Sequence, residues 1–342
     1  MKPRRVRVLA FYLPQFHPIP ENDEWWGTGF TEWTNVSKAE PLFPGHEQPQ
    51  VPADLGYYDL RVPETRLAQA DLARAHGIEA FCYWHYWFDG ERLLERPFAE
   101  VLASGTPDFP FCLAWANETW SRRWLGEEKE ILRKQTYSPG DAERHARWLV
   151  TAFADRRYLR VDGRPVFLVY RPLDLPDPLE VTGAIRAECR RAGLADPYLL
   201  GISSHAISDM RPLGFDANVE FEPQLGVLPD PLADGLKIYD YIAARKKMVH
   251  GKGGFPAHPC VMVSWDNTPR RGEHGIVFTG SSPAAFERAL RDTIQSVEHQ
   301  PLEQRLVFVN AWNEWAEGNH LEPCLRHGRG WLEAVDRATS IS

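Results

Sequence analysis

Apolar positions along this chain fall in short continuous blocks rather than in strict alternation. The blocks cover residues 6–12, 80–87, 109–115, 165–170, 198–203, 217–221, 259–265 and 306–312. They are rich in β-branched and aromatic residues, and continuous runs of this length mark strands buried on both faces. Between them lie segments with helical spacing of apolar positions, at 64–76, 91–103, 141–153, 179–192, 238–249 and 283–298. The fifth crossover, 206–213, has room for only a turn or two, and 331–338 reads as a closing helix. Gly280-Ser-Ser-Pro283 opens one of these helices as an ordinary cap.

Strand and helix alternating eight times predict a parallel sheet closed as a single (β/α)8 barrel over residues 1–342. The competing open, doubly wound sheet usually carries a glycine-rich phosphate turn after its first strand. Here Leu13-Pro-Gln-Phe-His-Pro-Ile-Pro20 follows instead, without a glycine. The longest irregular stretch, 17–62, holds Trp25, Trp26, Phe30, Trp33, Phe43, Tyr57 and Tyr58. A loop of that size is uncommon unless functional, and after the first strand of a barrel it sits on the catalytic face.

A chain of 342 residues buries roughly three quarters of its unfolded surface and needs no metal or disulfide staple. The formal net charge is −8, from 39 basic and 47 acidic residues, with no basic tract for nucleic acid. Cys82, Cys112, Cys189, Cys260 and Cys324 form no C-x-x-C pair, and read as small buried hydrophobes in a reducing compartment. The apolar run at 8–13 is too short for a signal peptide, and no run approaches a membrane span, which predicts a cytoplasmic protein. No spacing implies a metal or a cofactor.

In such a barrel the active site is built from residues just past the strand ends. The first strand offers Tyr12, Gln15 and His17, with Trp33 in the long loop; the second offers His85, Tyr86 and Trp87. The third and fourth offer Trp115, Asn117, Glu118, Tyr170 and Arg171, the fifth Ser203, Ser204 and His205, the sixth Glu220 and Glu222. The seventh ends in Trp265, Asp266 and Asn267, and the eighth in Trp312, Asn313, Glu314, Trp315 and Glu317, followed by Glu322. Aromatic rings stack on the C–H faces of sugars, while carboxylates and amides hold the hydroxyls, so this mixture predicts an oligosaccharide or polysaccharide substrate. The bland alternative is that the tryptophans are core and loop anchors. His85 suits a structural hydrogen bond as well as a substrate contact, and Glu220 and Glu222 suit sugar hydroxyls or the orientation of arginines.

Glu314 and Glu317 are the sharpest signal, because glycoside cleavage needs two carboxyl groups acting on opposite sides of the reaction. Three residues apart, they share a face only if the strand has ended and the chain turns helically there. Otherwise one of them is scaffold, paired to an arginine such as Arg171.

Phe11-Tyr-Leu-Pro-Gln-Phe-His17, Trp25-Trp-Gly27 and Gly29-Phe-Thr-Glu-Trp-Thr-Asn35 resemble the start of the WbsX-type glycosyltransferase family, also described as glycoside hydrolase family 99-like. Phe81-Cys-Tyr-Trp-His-Tyr-Trp-Phe88, Ala114-Trp-Ala-Asn-Glu118 and Trp312-Asn-Glu-Trp-Ala-Glu-Gly318 extend the resemblance over nearly the whole chain. It implies a role in bacterial O-antigen or other surface polysaccharide metabolism, and a barrel of the kind that cleaves internal α-mannosidic bonds with retention. It also implies that Glu317 is the general acid and then base, while Glu314 draws the proton from the sugar's 2-hydroxyl as a 1,2-anhydro sugar forms. On this reading Glu317 carries a raised pKa. A hydrolase version of the motif has histidine where this chain has Ala316.

Three functions follow in order of preference: a retaining endo-acting glycoside hydrolase or transglycosidase, a glycosyltransferase using a nucleotide-sugar donor, and a non-catalytic glycan-binding barrel. For the second, Arg122 and Arg123 are the candidates to bind phosphate.

Overall fold

The computed structural model describes residues 4–122, 127–204, 208–229, 235–248, 251 and 253–341, except for the side chains of 122 and 127–129. Eight strands form its centre: β1 (Arg7–Tyr12), β2 (Ile78–Phe88), β3 (Phe111–Trp115), β4 (Arg164–Val169), β5 (Tyr198–Ser203), β6 (Ala217–Glu220), β7 (Ala257–Met262) and β8 (Leu306–Asn310). Each pairs in parallel with its sequence neighbours, and β1 pairs with both β8 and β2, so the sheet closes on itself. The architecture is the expected (β/α)8 barrel. Every residue of β3 and β8 is buried, which is why these strands read as unbroken apolar runs.

The crossovers carry α1 (Pro20–Trp26), α2 (Glu32–Lys38), α3 (Pro63–Ala75), α4 (Arg96–Ser104), α5 (Asp141–Phe153), α6 (Pro178–Arg191), α7 (Tyr241–Arg245), α8 (Thr268–Arg271), α9 (Pro283–Val297) and α10 (Gly330–Thr339). Proline opens α3, α6 and α9, where a missing N–H leaves no helical bond unmade. Asp177 caps α6 and Ser282 caps α9. Among its described residues, the fifth crossover holds a 3₁₀ turn, Arg211–Leu213.

Two predicted helices begin later than their periodicity suggests. Residues Glu91–Leu93 turn back to pair antiparallel with the end of β2, through Asp89 and Gly90 at positive φ. Residues Lys237–Asp240 form a strand parallel to Ile276–Thr279, and helix starts only at Tyr241, where Asp240 caps Ala243. The long first loop is not irregular throughout, since α1 and α2 lie within it. A further hairpin, Trp120–Arg122 with Glu127–Arg133, rises after β3. All five cysteines are buried. No helix among the described residues is long and apolar enough to cross a membrane.

A buried polar network ties the first loop to the end of β8. Glu322 accepts from Tyr58 Oη at 2.8 Å, Gln69 Nε2 at 2.7 Å and Trp315 Nε1 at 2.7 Å. Tyr12 Oη donates to Gln69 Oε1 at 2.7 Å, which fixes the amide so that its nitrogen faces Glu322. Replacing Glu322 by glutamine puts an N–H among donors and strands at least one of them. We expect Glu322→Gln to lower unfolding stability by about 1–3 kcal/mol, read as an earlier urea midpoint. An unchanged midpoint would remove the network from the forces holding the first loop.

Candidate active site

β8 ends at Asn310, well before the glutamates. Asn313–Glu314 then pairs antiparallel with Asn319–His320, and a 3₁₀ turn, Trp315–Glu317, joins the two. This turn meets the condition the sequence set, because it brings Glu314 and Glu317 to one side. Gly318 closes it at φ 58°, and a Cβ there would lie 2.9 Å from that of Asp266, so only glycine fits. Asn313 holds the segment to the first strand: its Oδ1 accepts from Leu13 N at 2.7 Å, and its Nδ2 donates to Leu13 O at 3.0 Å.

Both glutamates meet Arg270, not Arg171. Arg270 Nη1 lies 2.6 Å from Glu317 Oε1, and Nη2 lies 3.2 Å from Glu314 Oε2. Its Nε reaches Glu32 Oε1 at 2.7 Å. Arg270 sits on α8, whose start is set by Asp266, which accepts from both Thr268 N and Thr268 Oγ1. The other oxygen of Asp266 contacts His46 Nε2 and Gln48 Nε2 of the first loop. Glu32 arrives from that same loop, at the start of α2, with its backbone N–H on Gln15 O. Loops one, seven and eight therefore converge on one guanidinium.

A cavity of about 350 Å³ opens above this cluster. The predicted residues Gln15, Tyr86, Glu118, Tyr170, Trp265, Glu314 and Glu317 line it, as do Ser204 and Asn267. Trp84 and Phe221 line it too, with Asn22 and Trp26 from α1, and Trp120 and Leu132 from the hairpin. The size and the mix of aromatic rings with amides, hydroxyls and charged groups suit a small-molecule or glycan subsite.

The remaining predicted contacts lie elsewhere. Tyr12 belongs to the buried network, and His17 Nδ1 is turned to Pro14 O at 3.0 Å. Trp33 donates to Tyr58 O and packs on Trp315, while Trp115 donates to Trp87 O. His85 points out of the barrel, where it meets His145 at 2.9 Å and stacks on Trp148; alternate positions on a strand face opposite ways, and it is Trp84 and Tyr86 that face in. Asn117 clips β3 to β4 by accepting from Arg171 N and donating to Arg171 O. Arg171 pairs with Asp174 at 2.9 Å and Glu118 at 3.6 Å. Glu222 is fully buried against Arg245 and Met262 N, and Glu220 accepts from Gly251 N. Trp312, Asn313 and Trp315 are buried beneath the glutamates, and Asp266 is the loop anchor described above. Ala316 is fully buried and does not line the cavity. His205 and Arg123, and the Arg122 side chain, lie outside the described residues.

Burial dominates the electrostatics. It pushes Glu314 up to about 8, with help from the neighbouring charge of Glu317 and against the pull of Arg270. Glu317 is raised by burial as well, opposed chiefly by Arg270. The expected rise at Glu317 is present, and Glu314 rises with it. Tyr86, which is buried, and Tyr170, which is partly buried, are held neutral beside the carboxylates.

Sequence reasoning passed over Glu32 and Arg270. Glu32 stands inside Gly29-Phe-Thr-Glu-Trp-Thr-Asn35, directly after a threonine placed to cap a helix. Arg270 follows Thr268-Pro269, a helix start just past the seventh strand. Both signals were local and visible, but neither says which loop each side chain turns toward.

A family model described as Glycosyltransferase WbsX matches residues 8–335. The protein WxcX from two strains of Xanthomonas campestris pv. campestris is 42% and 43% identical over 97% of this chain. The chain spans about half the length of these relatives, 49%. Among solved structures, a glycoside hydrolase-like protein matches with a TM-score of 0.64 at 14% identity, over 100% of this chain and 96% of that one. A family 99 endo-α-mannosidase from Bacteroides thetaiotaomicron matches with a TM-score of 0.59 at 14% identity, over 97% and 96%. At such identity the likeness carries the fold alone. The family match over nearly the whole length places this chain in the WbsX glycosyltransferase family.

Proposed function

We propose that this chain acts on α-linked glycans of bacterial surface polysaccharide as a retaining, endo-acting hydrolase or transglycosidase. The observation that carries the reading is the pair Glu314 and Glu317, both lining the cavity and both held on one guanidinium. Two carboxyl groups that resist ionisation together can divide into one acid and one base.

The reaction follows from that division. Glu314 takes the proton of the sugar's 2-hydroxyl as O2 attacks C1, while Glu317 gives its proton to the leaving oxygen and the C1–O bond breaks. Water or an acceptor hydroxyl then adds to C1 and opens the anhydro ring; Glu317 takes the incoming proton and Glu314 returns the first one to O2. The pair ends each cycle with the proton it began with. Trp26, Trp84, Trp120 and Trp265 supply rings for the sugar faces, and Tyr86, Gln15 and Glu118 supply hydroxyl partners.

The family description favours a second reading, transfer from a nucleotide sugar. A diphosphate must then enter a cavity that holds Glu118, Glu314 and Glu317, where Arg270 already meets three carboxylates. That charge balance is why we place it second.

Purified protein incubated with a panel of α-linked polysaccharides, with and without nucleotide sugars, separates the readings by mass spectrometry. Oligosaccharides formed without a donor establish cleavage. Products and free nucleotide that appear only with a donor reject it. Given a cleaved substrate, Glu317→Gln and Glu314→Gln should each lower kcat by about 10²–10⁴-fold with substrate binding retained; near-normal turnover in either removes that residue from the chemistry. Because Glu317 must hold its proton as the acid, and burial raises its carboxyl above the ordinary range, kcat/KM should fall as pH rises from neutral into the alkaline range. A profile flat across that range would contradict the assignment.

A further inference from the structure

Glu32 has no place in the reaction above, yet it is wholly buried and grips the same guanidinium as the two glutamates. Its Oε1 takes Arg270 Nε, and its Oε2 has no hydrogen-bond partner among the described residues. A carboxylate so placed is costly unless its charge is used. Around Arg270, then, three carboxylates, Glu32 and Glu314 buried and Glu317 partly so, contact a single cation among the described residues. The other charged and titratable groups facing the cluster are Glu118 and Tyr86, Tyr170 on the barrel side, and Arg271 on α8.

We infer that Glu32 is a positioning residue that draws part of Arg270's charge away from Glu314 and Glu317, so that the pair retains one proton at neutral pH. The geometry gives the reason. With the guanidinium shared three ways, an ionised pair plus Glu32 would leave two uncompensated negative charges in a buried site, and one proton halves that excess. The directions agree: the charge of Glu32 raises both partners, while Arg270 lowers both. As a statement about catalysis this rests on the acid–base reading above. As a statement about charge it stands without any substrate.

The test uses pH-difference infrared spectroscopy of the whole, substrate-free protein, which reads protonated carboxyl groups directly. Glu322, pushed by burial to about 7, also titrates in this range. The pair's signal is therefore taken as the part lost in a Glu314→Gln/Glu317→Gln double variant. We expect such a signal at neutral pH, with a midpoint that falls by roughly one pH unit or more in Glu32→Gln. Glu32→Asp, which keeps the charge, should return it toward the wild-type value. Arg270→Met should move the midpoint the other way, which keeps the test open if one variant fails to fold. An absent pair signal at neutral pH, or a midpoint unmoved in folded Glu32→Gln, overturns the inference. A signal that behaves as expected in a protein that cleaves no glycan sinks the hydrolase reading and leaves this one intact.

Discussion

A buried guanidinium among three carboxylates is the constraint around which the mouth of this barrel is organised. Arg270 is nearly enclosed, as are Glu32 and Glu314. None of these charges is tolerable there alone, since an unpaired buried ion costs several kcal/mol. The cluster therefore exists only if loops one, seven and eight arrive together. That requirement bears on the length of the first loop, which must bring Glu32 to Arg270 on α8. It also explains Asp266, which binds His46 and Gln48 of the first loop with one oxygen and sets the start of α8 with the other.

Within the last loop, support and presentation alternate residue by residue. Asn313 and Trp315 turn down, the first to the backbone of Leu13 and the second to Glu322, while Glu314 and Glu317 turn up to Arg270. The tight turn that makes this possible ends on Gly318, packed against Asp266. The aromatic and amide residues of the motif are thus foundation rather than sugar platform. Rings that do line the cavity come from other places: Trp84 from β2, Trp26 from α1, and Trp120 from the hairpin after β3.

The barrel itself was legible because parallel strands buried on both faces leave continuous apolar blocks, and the eight blocks overlap the eight strands. Where a block continued past a turn, or a strand carried helix-like spacing, the reading slipped. Lys237–Asp240 is the instance: only pairing with Ile276–Thr279, far off in sequence, makes it a strand. The position of the glutamate pair was legible as well, since strand ends in a barrel have a fixed side. The direction of neighbouring side chains was not. In Tyr83-Trp-His-Tyr-Trp87 a shift of one residue exchanges inside for outside, and the polar His85 faces a helix while Trp84 faces the cavity. Arg270 and Glu32 were invisible as a pair because 238 residues separate them, and only the closed barrel brings their loops together.

The charge of the cluster also bears on what a family described as transferring sugars has in common with a barrel shared by hydrolases. On the proposed reading both reactions use the same first half, in which the glycan loses its leaving group and the sugar is held as an anhydride. They part only at the second half, where water or a sugar hydroxyl opens it. Nothing about Glu314, Glu317 or Arg270 distinguishes these two acceptors, since each delivers one proton to the same carboxylate. On that reading the distinction falls to the rest of the cavity lining, to which α1 contributes Asn22 and Trp26 and the hairpin Trp120 and Leu132. A wall that stacks an acceptor sugar and excludes water makes a transferase of the same acid–base pair, without a diphosphate ever entering an acidic cavity. On the proposed reading, then, the carboxylates carry bond breaking, and the two loop elements beside them decide what takes the sugar next.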